Sequence, residues 1–78
     1  MLLFEGAVMF EPDGSAVLWA TAPRGERIKV CVTQAYAERT WRIRYSEAEV
    51  TIQVWLHIDD LRKLAARACA DGKRELVL

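Results

Sequence analysis

The segment from Ser46 to Gly72 supports two incompatible periodicities, and the choice between them sets the fold. In steps of two, Val50, Ile52, Val54, Leu56 and Ile58 alternate with Thr51, Gln53, Trp55 and His57, the pattern of a half-buried strand. At helical spacing, Val50, Val54, His57, Leu61, Leu64, Ala65 and Ala68 share one stripe, the pattern of an amphipathic helix. Ser46 followed by Glu49 is a capping box, and Gly72 suits the left-handed position past a helix end. Arg62, Lys63 and Arg67 lie in the C-terminal half, the favourable sign for the helix dipole. These signals predict one helix from Glu47 to Ala70, about 24 residues and about 36 Å at a rise of roughly 1.5 Å per residue. Against it stand the β-branched run from Val50 to Val54 and the off-stripe Ile52, Trp55 and Leu56. Asp59-Asp60 would equally cap a shorter helix after a strand. The residues alone leave both readings open.

The rest of the chain is easier to read. Met1 to Phe10 predicts a short first strand. Pro12-Asp13-Gly14-Ser15 is a turn, in which proline presets one dihedral and glycine accepts positive φ. Ala16 to Thr21 predicts a second strand, Pro23-Arg24-Gly25-Glu26 a second turn, and Arg27 to Thr33 an alternating third strand. The second and third strands therefore form an antiparallel hairpin. Thr33 is a plausible N-cap for a short helix through Arg39, and Trp41 to Tyr45 reads as a connection. Arg74 to Leu78 predicts a last strand added to the sheet edge.

Size and composition exclude several function classes. The 78 residues allow a single domain, residues 1–78, in which about 60–65% of the unfolded surface is buried. At 53% hydrophobic, the chain carries an apolar surplus that a self-association surface would absorb. Eleven basic residues balance eleven acidic ones, so no net field attracts nucleic acid or an anionic membrane. There is neither a secretory signal nor an apolar run long enough to span a membrane, so a cytoplasmic location is expected. Cys31 and Cys69 are far apart in sequence and read as reduced, partly buried thiols. One histidine and no paired-cysteine spacing leave no basis for a metal site, and no cofactor motif occurs.

Val17-Leu18-Trp19, the Gly25 turn, Ile28-Lys29-Val30-Cys31-Val32-Thr33 and Gln34-Ala35-Tyr36-Ala37 follow one another in an order that resembles domain-of-unknown-function family 1488, small uncharacterised bacterial proteins. Val54, His57, Leu61 and Ala65 stand at the spacing of that family's long helix. The chain differs from the family at Val54, where a larger aromatic is usual, and at Tyr36-Ala37. The resemblance implies an α+β fold: a small antiparallel sheet of three or four strands, the β-hairpin first, packed against one short and one long helix. It implies no activity.

His57 lies on the core stripe with Asp60 three residues on, but nothing nucleophilic is placed beside it, so no catalytic residue is assigned and no enzyme is expected. On the helical reading, Ile52, Trp55 and Leu56 lie off the stripe. Either Trp41 and Tyr45 fold over them or a second copy of the chain does, which makes these five the candidate interaction residues of an expected homodimer. Arg24, Arg27 and Lys29, with Arg42 and Arg44 beside Trp41 and Tyr45, form the one basic-aromatic concentration. They are the candidate surface for a weaker nucleic-acid-binding or regulatory alternative. Zero net charge makes nucleic acid the less favoured partner.

Overall fold

A computed structural model describes residues 2–78. Four strands and three helices follow in the order β1 (Leu3–Phe10), β2 (Ala16–Thr21), β3 (Arg27–Val32), α1 (Gln34–Trp41), α2 (Glu47–Leu56), α3 (Ile58–Ala70) and β4 (Glu75–Val77). The helices cover one face of a sheet ordered β1-β2-β3-β4.

Both hairpin loops have the same construction. Glu11 N–H donates to the Ser15 carbonyl around Pro12-Asp13-Gly14, and Ala22 N–H donates to the Glu26 carbonyl around Pro23-Arg24-Gly25. Gly14 and Gly25 each hold φ at 90°, a value that glycine adopts without a Cβ penalty. Each loop is thus a turn closed by a left-handed glycine, which matches the twist of the flanking strands. β1 and β2 pair antiparallel with a bulge: Glu5 faces Trp19 and Met9 faces Val17, so four steps on one strand meet two on the other. Gly6, at φ 62°, supplies the bend.

β4 corrects the expected all-antiparallel sheet. It pairs with β3 in parallel, Lys29 opposite Glu75 and Cys31 opposite Val77, so the sheet is mixed. The reason is topological. Three helices carry the chain back across the sheet before β4 begins, and a crossover of that length returns it in the same direction. Thr33 fastens both ends of this excursion: its hydroxyl accepts from Tyr36 N–H at the start of α1 and donates to the Leu78 carbonyl at 2.8 Å.

Trp41 belongs to α1 and not to the connection expected for it. The helix runs past Arg39 and stops at Arg42, a non-glycine residue in the left-handed region at φ 55°. Ser46 caps α2 as its spacing predicts, accepting from Glu49 N–H at 3.1 Å. The Glu49 carboxylate turns away to accept from the Gln53 amide at 3.3 Å.

The segment from Glu47 to Ala70 is helical, which settles the two-way reading, yet it is not the single rod expected. It breaks at His57 (φ −107°, ψ 23°), where α2 ends and α3 begins. His57 still donates to Gln53 and accepts from Leu61, so the hydrogen-bond ladder passes through the bend. The central strands are six residues each, roughly 20 Å long, and a straight rod of about 36 Å would overhang them. α2 packs against β2, and α3 against β3 and β4. Asp59 and Asp60 then occupy the first turn of α3, where carboxylates suit the dipole.

Val50 and Val54 from α2, and Leu61, Ala65 and Ala68 from α3, pack on Leu18, Ile28, Val30 and Val32 of the sheet. Leu61 retains 1% exposure. Leu61→Ala should lower unfolding stability by about 3 kcal/mol through lost contacts and a cavity, with an unchanged denaturant slope in urea melts.

Candidate interaction surface

α2 carries its core residues on one side and an uncovered apolar flank on the other. Ile52, Trp55 and Leu56 are 54%, 44% and 70% exposed. Their spacing of three and four residues makes them neighbours on the helix surface. The same geometry that sends Val50 and Val54 inward sends these three outward.

Trp41 and Tyr45 do not fold over that flank. The Trp41 ring stacks on His57, 5.3 Å between centroids and 6° between planes, and meets Tyr36 edge-on at 5.8 Å. It therefore braces the helix break. Tyr45 turns toward the β1–β2 loop, where its ring approaches Gly14. Its hydroxyl is buried without a hydrogen-bond partner. Burial pushes that hydroxyl's pKa up, and the Glu47 and Asp13 carboxylates push it the same way. Of the five candidate interaction residues, three stand together in solvent and two serve the fold.

The uncovered face of the sheet was not singled out from sequence, although it also shows large apolar side chains. Leu3, Met9, Trp19 and Val77 lie partly open there. The signal was available in the alternation of β2 and β3, whose outward positions are Val17, Trp19, Thr21, Arg27, Lys29 and Cys31. Charge covers much of this face. The Arg27 guanidinium sits 4.5 Å over the Trp19 ring and pairs with Glu5 at 3.3 Å. Lys29 bridges Glu11 at 3.4 Å and Glu75 at 3.7 Å, roofing Val17 and Cys31, each only 5% exposed. Cys31 and Cys69 are free thiols. Burial pushes the Cys31 thiol pKa up, against the pull of Lys29, so it stays protonated at neutral pH.

The five candidate basic residues do not form one surface. Arg27 and Lys29 are neutralised on the open sheet face. Arg24 sits in the β2–β3 loop, whereas Arg42 and Arg44 lie in the α1–α2 connection next to Tyr45, which reaches the β1–β2 loop. Those loops are at opposite ends of β2. His57 Nδ1 lies 3.9 Å from an Asp60 carboxylate oxygen, with no nucleophile in the pair. Among the described residues no cluster of metal-binding side chains occurs, and no helix is long and apolar enough to cross a membrane.

Comparison with protein-family models, with curated proteins and with solved structures finds no match to this chain.

The ionic cover makes a pH prediction. The Thr21 hydroxyl holds Glu5 below its ordinary 4.5, aided by the Arg27 guanidinium and opposed by desolvation. A depressed carboxylate stabilises the fold above its unfolded pKa, and that contribution is lost as pH falls through the folded value. Glu5→Gln should therefore flatten the loss of stability below about pH 4.5, measured as the urea midpoint against pH.

Proposed function

We propose that the chain is a non-enzymatic protein-interaction module that pairs with a second copy of itself through α2. The carrying observation is that Ile52, Trp55 and Leu56 stand exposed side by side on one helix. Trp19, on the sheet, has a guanidinium laid across it, while Trp55 has no cation–π partner among the described residues. A two-fold axis through α2 would set each flank against its twin, the isologous contact that two identical apolar surfaces can make.

The three side chains present on the order of 300 Å² per copy, comparable to the largest apolar patch of an ordinary monomer. A standard interface buries about 800 Å² per partner, so this pairing is weak and concentration-dependent. The two free thiols suit a reducing compartment such as the cytoplasm. The resemblance to family 1488 adds no activity to this reading. Nucleic-acid binding draws less support, because Arg27 and Lys29 are already paired with carboxylates and Arg42 and Arg44 lie at the other end of the sheet.

Sedimentation equilibrium tests the proposal. The weight-average mass should rise above 8.9 kDa as concentration approaches about 1 mM, with Trp55→Ala weakening pairing by about 2 kcal/mol and leaving the thermal midpoint of the dilute protein nearly unchanged. A wild-type protein that stays monomeric throughout that range would overturn it.

A further inference from the structure

A concave feature lies at the far end of the sheet from Tyr45. The C-terminal turns of α3, the β2–β3 loop and the chain entering β4 border an open groove of about 490 Å³. It exists because its walls are small: Ala66 and Ala70 on α3, Ala22 before the loop, and Gly72 after the helix. Leu2 and Ala22, 5% and 8% exposed, supply apolar lining.

Two guanidiniums border this groove, Arg24 from the loop and Arg74 from the segment before β4. Neither forms an ion pair among the described residues, unlike Arg27, Lys29 and Arg62. Arg74 reaches only the Lys73 carbonyl, at 3.5 Å. The last carbonyls of α3 would oppose an anion, but they are already occupied. Asp71, Gly72 and Lys73 N–H groups donate to Arg67, Ala68 and Cys69. Glu26 is the one carboxylate in the lining, and the Cys69 thiol lies 4.0 Å from it. The rim thus carries two positive charges against one negative.

We propose that this groove binds a small monocarboxylate with a short apolar tail. The carboxylate would sit between Arg24 and Arg74, and the tail would lie along Leu2, Ala22 and Ala66. Two guanidiniums against one carboxylate leave a single positive charge to match, which fits a monoanion. The volume lies within the range of small-molecule sites.

Octanoate serves as the probe, with 1-octanol as its uncharged counterpart, in amide NMR titrations of the full chain. For a ligand of this size, octanoate should bind with a Kd of about 1 mM and shift Ala66, Ala70 and Gly72 saturably. Replacing both arginines, Arg24→Gln with Arg74→Gln, should weaken binding about tenfold while the remaining amide spectrum stays in place. Three results would overturn the proposal: octanol shifting these amides as strongly as octanoate, the double variant binding as wild type does, or the response falling on Ile52 to Leu56 instead.

Discussion

A helical segment has to cover a sheet shorter than itself, and most of the structure answers to that mismatch. Val50, Val54, Leu61, Ala65 and Ala68 all reach the core, which fixes the rotation of both helices about their axes. Bending at His57 keeps both halves over the sheet, and Trp41, stacked on the imidazole and packed against the core, braces the corner. With α2 fixed by Val50 and Val54, Ile52, Trp55 and Leu56 have nowhere to point but away from the sheet. The exposed flank is a consequence of core packing.

The two open faces of the molecule deal with apolar surface differently. On the sheet, ion pairs cross from strand to strand and lie over the apolar side chains, with Arg27 over Trp19 and Lys29 between Glu11 and Glu75. The Lys29 ammonium is held above its ordinary value: burial pulls it down, but the Glu11 and Glu75 carboxylates push it up. Such pairs add little stability at a surface, yet they keep the face hydrated and discourage sheet-on-sheet association. α2 has acids in its first turn, Glu47 and Glu49, and none among Ile52, Gln53, Val54, Trp55 and Leu56. That contrast leaves the α2 flank the less protected of the two apolar surfaces.

Much of the fold was legible in the sequence because local chemistry and tertiary packing agree. Pro-x-Gly loops at 12–14 and 23–25 set the hairpins, and Thr33 and Ser46 start helices where their spacing says they should. The misses have specific causes. Arg42 ends α1 in a left-handed conformation that glycine usually takes, so no stop signal was visible and Trp41 was left outside the helix. The parallel pairing of β4 depends on how far three helices carry the chain, which no residue within Glu75–Val77 records. The break at His57 carries no proline or glycine to announce it, although Asp59-Asp60 hinted at a new helix start. Of the candidate site, the helical stripe revealed Ile52, Trp55 and Leu56. It could not reveal that Trp41 and Tyr45 are drawn inward, since a tryptophan at a helix end and a tyrosine in a connection can turn either way. The basic residues looked like one cluster because sequence distance hides the length of β2 that separates their loops.

Helical and extended arrangements of α2 make opposite demands on four side chains. In a strand, Val50, Ile52, Val54 and Leu56 would share one face. In the helix, Val50 and Val54 face the core while Ile52 and Leu56 face water. Methyl NMR of dilute protein with a soluble paramagnetic agent reads this directly. Strong attenuation of Ile52 and Leu56 with protection of Val50 and Val54 is the predicted result, and equal attenuation or equal protection of all four would contradict it.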